Sequence, residues 1–228
     1  MASNKNEKAQ AQQATNVGEA VSRTEEFIEK NKKALSAIII ALIVIIVGVW
    51  ALGHYYFAPR QQKALEALST GEKLFQSGDF QKALDGDSFE YDGFDAIIKS
   101  FGGTKAANLA KAYAGISHAQ LGQIDEAIPY LEKFKGNDSM IAPSVLAALG
   151  NCYAQKDELA KAAATLLKAA KKADNNVLSG AYLVQAGQLF EQLGDKAQAL
   201  KAYQLVKDKY YQTIQASDID KYIERVNK

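Results

Sequence analysis

Very little in this sequence can hold a metal or attack a substrate. A single cysteine, Cys152, leaves no internal disulfide and no cysteine cage for a metal ion. The two histidines, His54 and His118, lie far apart in the chain, so a histidine-based site would have little to build on. Charge of one sign is missing as well. The 27 basic residues balance 26 acidic ones, which removes any general pull toward nucleic acid, and no nucleic-acid partner is expected. No phosphate-cradling G-x-x-x-x-G-K-S/T, no G-x-S-x-G and no H-E-x-x-H occurs. The Gly-Gly-Thr-Lys run in "FGGTKAANL" follows no strand and reads as a helix boundary. No enzyme, no cofactor and no metal site is expected. Only three prolines interrupt the chain, which suits a mostly helical protein.

What is present begins with a long apolar run. "ALSAIIIALIVIIVGVWALG", Ala34 to Gly53, carries no charge over 20 residues. As a helix it spans roughly 30 Å, the thickness of a bilayer's hydrocarbon core. A buried core helix would show a polar face, and this one shows only Ser36. A signal peptide would have a shorter apolar run and a small-residue cleavage site, and neither is seen. The sequence therefore predicts one uncleaved span over 34–57. Arg23, Lys30, Lys32 and Lys33 precede it and Arg60 and Lys63 follow, which puts the N-terminus in the cytoplasm by the positive-inside rule. Trp50, Tyr55, Tyr56 and Phe57 form an aromatic belt at the far interface, and His54 reads as an interfacial side chain within it. Residues 1–33 form a cytoplasmic head. Its first part is polar and expected to be disordered, and "RTEEFIEKNKK" is a candidate juxtamembrane helix.

Beyond Pro59 one phrase is written four times: "SGDFQKAL", "LGQIDEAI", "KDELAKAA" and "LGDKAQAL". A small residue stands about seven positions ahead of each, Gly71, Gly115, Gly150 and Gly187, at spacings of 44, 35 and 37 residues. A period near 34 with helical patterning signals stacked helix pairs. In "LAKAYAGISHAQLGQIDEAIPYLEKF", Gly115 lets two helices approach, Gly122 ends the first, and Ala127, Leu131 and Phe134 continue the apolar stripe of the second. Leu146, Leu149, Gly150, Tyr153, Ala162, Leu166 and Ala169 take the same roles one repeat later. Leu183, Ala186, Gly187, Phe190, Gly194, Ala199, Tyr203 and Val206 take them in the next. On these residues the chain resembles the tetratricopeptide repeat proteins. The resemblance implies an all-α helical-hairpin solenoid over 60–228, with repeats at about 64–103, 108–141, 143–176 and 180–213.

The pattern has departures. The third repeat has no turn glycine and uses "QKDEL". Pro129 is expected within about the first turn of its helix, where its cost is smallest. The first repeat is interrupted by "DGDSFEYDGFDAIIKSFGG", Asp85 to Gly103, with "FDAIIKSF" completing the second helix. Its acids, Asp85, Asp87, Glu90, Asp92 and Asp95, raise a calcium site as one reading. The spacing does not match the EF-hand, and a solvated structural loop is favoured. "SDIDKYIERVNK" reads as a capping helix over 217–228, with Ser217 or Asp218 as its N-cap. His118 and Cys152 read as packing residues.

The first helices of stacked pairs line a concave surface. There the register places Gln120, Asn151, Gln155, Gln188, Glu191 and Gln192, with Ile116, Ala147 and Val184 between them. Such a neutral, amide-rich groove suits an extended peptide or a partner helix, and it lacks the basic cluster that would clamp an acidic tail. The layout of head, span and repeats resembles the ancillary tetratricopeptide subunit of the bacterial Sec translocon, most closely in "TEEFIEKNKK" and "GGTKAANLAKAYAG". That resemblance implies an inner-membrane protein with periplasmic repeats. Its implied partners are the translocon, periplasmic chaperones or exported polypeptides. Two other readings stay open: a scaffold for another envelope assembly (division, outer-membrane biogenesis or secretion), and a regulatory or transport subunit that works through its head.

Overall fold

The structure is a computed structural model that describes residues 29–87 and 91–228. Most of the predicted head and the loop residue Glu90 lie outside the described residues. Among the described residues every regular element is helical, which makes the protein all-α. They divide into two compact units between Ala58 and Pro59.

The first unit is helix α1 (29–51) followed by a π-helical turn, Leu52–Phe57. The helical run Glu29–Gln76 is long and apolar enough to cross a membrane, and none of its apolar window is covered by protein. Ile38, Ile39, Ile40, Val44 and Ile45, which together go round the helix, are all more than half exposed. A helix that is apolar all round and uncovered needs an apolar medium, which a core helix would have received from its own protein. At its end Trp50 stacks on His54, ring centroids 5.4 Å apart.

The second unit is a row of helical hairpins. Helices α2 (Ala58–Gln76), α3 (Phe80–Asp85) and α4 (Gly93–Ser100) make the interrupted first hairpin. Helices α5 (Lys105–Gln120) and α6 (Ile124–Lys133), α7 (Ile141–Gln155) and α8 (Leu159–Ala173), and α9 (Ser179–Gln192) and α10 (Lys196–Lys209) make three more. Their alanine-rich sequences have high helix propensity. Thr104 starts α5 by accepting the Ala107 N–H at 3.1 Å, so the Gly-Gly-Thr-Lys run is a helix boundary. Asp195 starts α10 in the same way, accepting the Gln198 N–H at 3.0 Å.

The pairing of helices depends on the small residue in each first helix. A methyl group at Gly115 would come within 2.7 Å of Leu131 Cδ2, and one at Gly187 within 2.3 Å of Tyr203 Cε1. At Gly150 the approach is looser, 3.0 Å from Leu166 Cγ. Gly71 meets Tyr91 and Phe94 rather than α3, so α4 is the element that packs as the second helix of the first hairpin.

The buried side chains form two cores. One joins Leu68, Leu84, Phe94 and Ile97 to the alanines of α5, and the other runs from Leu131 through Leu166, Leu183 and Tyr203 to Val226. Helix α5 is shared: Ala110 and Ala114 face the first core and Ala112 the second. Each leucine buried this completely contributes roughly 1.5–3 kcal/mol.

The third hairpin solves its turn without glycine. Asp157 takes the left-handed conformation, φ 61°, that Gly122 and Gly194 take at 76° in the neighbouring turns. Asp157→Gly is therefore expected to stabilise the unit by about 0.5–1 kcal/mol. A thermal midpoint unchanged or lowered would show that the aspartate is not strained. Asp174 is also left-handed, φ 44°, but its carboxylate takes Lys209 Nζ at 2.5 Å and the Tyr210 hydroxyl at 2.8 Å, contacts a glycine would lose.

Two sequence expectations need correction. Pro129 lies not in the first turn of its helix but well inside α6. The N–H groups of the first turn have no intrahelical partner, whereas a residue this far in would bond the Asp125 carbonyl, so the proline costs a bond. Asp218, not Ser217, stands at the N-cap of the last helix, but its side chain makes no capping hydrogen bond. A 3₁₀ turn, Ile214–Asp218, leads into α11 (Ile219–Asn227). Ser217 Oγ donates back to the Ile214 carbonyl at 2.7 Å, and the Asp218 carboxylate pairs with Lys221.

Candidate functional site: the face of the first helices

Helices α5, α7, α9 and α11 follow one another along the unit, each in contact with the next. The Tyr182 hydroxyl of α9 donates to Ser144 Oγ of α7 at 3.2 Å, and Arg225 of α11 reaches Glu191 of α9. Gln120 of α5, Asn151 and Gln155 of α7, and Gln188 and Gln192 of α9 are exposed. Asn151 and Gln188 immediately follow the pairing glycines, and Gln120, Gln155 and Gln192 stand near the ends of their helices. Their positions are fixed by the opposite face: with Gly150 against Leu166 and Gly187 against Tyr203, the residue after each glycine turns away from its hairpin partner. Between them Ala147 and Val184 are buried and Ile116 is half-buried.

Glu191 differs from the other five. It is half-buried and held by three donors: Arg225 Nε at 2.8 Å, Arg225 Nη2 at 2.6 Å, and the Tyr203 hydroxyl. The Arg225 fork holds its carboxyl below the ordinary value, against a smaller opposing push from burial. The one formal charge among the six is thus neutralised by the capping helix, and the face stays a surface of amides and apolar patches. Sequence reasoning placed Glu191 with the amides and missed its partner. The signal was there in principle, as an arginine in the cap 34 residues on, one repeat length away.

His118 is a packing residue with a hydrogen-bonded ring. Its Nδ1 pairs with Gln123 Oε1 at 2.6 Å, and its ring stacks on Tyr130 at 5.2 Å. The Tyr130 hydroxyl donates to Asp95 at 2.6 Å, and burial with that carboxylate pushes the Tyr130 pKa up to about 12. These groups border a cleft of about 580 Å³ with Pro129 and Lys133. Cys152 is fully buried and burial pushes its thiol pKa up, away from the reactive thiolate. In the acidic insertion Asp85 accepts from Gln81 and Asp87 from the Tyr91 N–H, bonds local to the insertion, while Asp95 accepts from Tyr130 of α6. Among the described residues no three His, Cys, Asp or Glu side chains gather where a metal ion could be held.

Residues 181–208, which cover most of α9 and of α10, match the tetratricopeptide repeat family model. The match supports the tetratricopeptide repeat family for this chain, and with it the general role of such arrays as protein interaction modules. No curated protein matches the chain.

Proposed function

We propose that the protein is a membrane-anchored adaptor that binds protein partners along the face of its first helices. Its head is cytoplasmic, one helix over 34–57 crosses a bacterial inner membrane, and the repeats of 60–228 work in the periplasm. The observation that carries this reading is the combination, in one chain, of an uncovered all-apolar helix with a repeat unit whose exposed amides recur at the same repeat positions. Amides at Gln120, Asn151, Gln155, Gln188 and Gln192 can donate to and accept from the backbone of an extended partner. The half-buried Ile116 and Ala154 offer shallow apolar contact beside them. The particular role is that of an ancillary partner of the Sec translocon, serving exported polypeptides together with periplasmic chaperones. The order of head, span and repeats supports it.

The test is photocrosslinking in intact membranes from the full chain, with the crosslinker at Gln155 or Gln188 and a control at Lys168 on a second helix. Capture of the translocon channel, exported chains or a periplasmic chaperone, at the groove positions only, is the expected result. Capture of division, outer-membrane or secretion components instead would move the protein to another assembly. Equal capture at Lys168 would remove the groove as the binding face. A reporter fused at Lys228 should be active only outside the cytoplasm.

A further inference from the structure

The chain's charge is balanced in total but not in place. Helices α8 and α10 hold eight of its 27 basic residues and one of its 26 acidic ones. Helix α8 has four lysines and no acid, and α10 has four lysines with Asp208 alone against them. The last turn of a helix favours cations, but Lys168 and Lys201 stand before it. Local partners take up part of this charge: Lys161 pairs with Glu158, Lys207 with Asp220 and Lys209 with Asp174. Lys168, Lys171 and Lys201 are exposed, and among the described residues they form no ion pair.

Between α8 and α10 lies a cleft of about 420 Å³. Its floor is Leu183 of α9 with Ala170 of α8, both buried. Its walls are Leu167 of α8, half-buried, and Leu205 of α10, which is 43% exposed. At one end the Asp174 carboxylate is already occupied by Lys209 and the Tyr210 hydroxyl, so Lys171 is the uncompensated charge on the rim. Lys168 stands one turn before Lys171, and Lys201 one turn before Leu205, so both flank the cleft.

The repeat does not demand this lining. Ala127, Ala162 and Ala199 are the buried alanines at one place in successive second helices. Counted from them, Leu167 stands where α6 has Glu132, and Leu205 stands where α8 has Lys168. The junction one hairpin earlier thus carries an acid and a lysine at the two positions that are leucines here. Leucine at both turns an exposed junction into an apolar slot rimmed by unpaired cations.

We propose that this slot binds an acidic amphipathic segment of a partner protein, with an aliphatic side chain between Leu167 and Leu205 and carboxylates toward Lys168, Lys171 and Lys201. Charge selects the occupant: the unpaired lysines attract a segment rich in carboxylates and repel a basic one. The slot supplies the buried anchor that charge alone would lack. This surface goes beyond the first-helix face described above and is separate from it. The partners of that face are expected at Gln155 and Gln188, and an acidic partner at Lys168, so the two surfaces capture different proteins.

The experiment uses the full chain in phosphatidylcholine nanodiscs. The probe is a fluorescein-labelled peptide of repeated Glu-Glu-Leu-Leu units that carries one photoreactive leucine, and its binding is read by fluorescence anisotropy. Empty nanodiscs and the same peptide with lysine in place of every glutamate are the controls. The acidic peptide should bind the protein alone, weaken with added salt, and attach on illumination to α8 or α10. Leu205→Gln, and Lys168→Gln combined with Lys171→Gln, should each weaken it several-fold. Lys133→Gln, the same loss of charge on α6, should leave it unchanged. All these side chains are exposed, so circular dichroism should show the variants folded as the native chain is. Binding that ignores Leu205→Gln would be general charge attraction and overturns the slot. Equal binding of the lysine peptide, attachment to α7 or to the Gln188 face of α9, or no binding at all also overturns it. None of these outcomes bears on the first-helix face, which the crosslinks from Gln155 and Gln188 decide.

Discussion

Gly187→Ala is expected to lower the stability of the repeat unit by about 2 kcal/mol. The added carbon would lie 2.3 Å from Tyr203 Cε1 and 2.6 Å from Cζ. The ring cannot move aside. Tyr203 is fully buried, and its hydroxyl donates to Glu191, which Arg225 grips from the capping helix. Gain in helix propensity, up to about 1 kcal/mol, offsets part of the cost. Gly150→Ala is the matched control. Its new methyl would meet Leu166 Cγ at 3.0 Å, a contact that a leucine can relieve by a small shift, so the propensity gain roughly cancels the cost. Thermal unfolding of the full chain in detergent, followed by circular dichroism, should show Gly187→Ala falling by roughly 5–8 °C and Gly150→Ala nearly unmoved. Equal midpoints for the two would mean that the tyrosine is not locked.

The second large effect concerns the span. Ile43→Lys together with Val47→Lys should abolish membrane integration. Each lysine near the helix centre costs roughly 2.5–3.5 kcal/mol of insertion free energy, so the pair shifts the partition by a factor of more than about a thousand. Both positions are more than half exposed and contact no core, so the repeat unit should fold as before. After an alkaline wash the native chain should stay with the membrane pellet and the double variant should leave it. If both are washed out, the apolar helix is not an integral anchor.

Much of this architecture was legible before any coordinates. Glycines 115, 150 and 187 announce close helix pairs because a small residue lets the two helices approach, and that signal is local and periodic. The apolar run over 34–53 was equally plain, since it lacks a polar face. What the sequence hid depends on contacts between elements. Pro129 looked like an early helix residue because helix starts are set by turn geometry, which one residue's identity does not reveal. Asp157 concealed a left-handed turn because aspartate tolerates that conformation without requiring it. Glu191 read as one more groove residue because its partner lies in a helix with no repeat signature. Met140, Val177 and Ile214, exposed apolar side chains 37 residues apart, were periodic in the sequence too, but they sit in the segments between hairpins, whereas the recurring phrase marks the turns within them.

The division of the interior into two cores has a mechanical meaning. In the proposed adaptor, a tether at the N-terminal side would pull on the unit through α2, and a partner on α7 and α9 would pull beyond the shared helix α5. The load then crosses the seam where Ala110 and Ala114 belong to one core and Ala112 to the other. Helix α6, next to that seam, is the shortest second helix among the three uninterrupted hairpins, and it carries a proline that removes a backbone bond. Under tension the array should part there first. On that proposal, the hairpins that hold the partner would stay folded while the links nearer α2 give way.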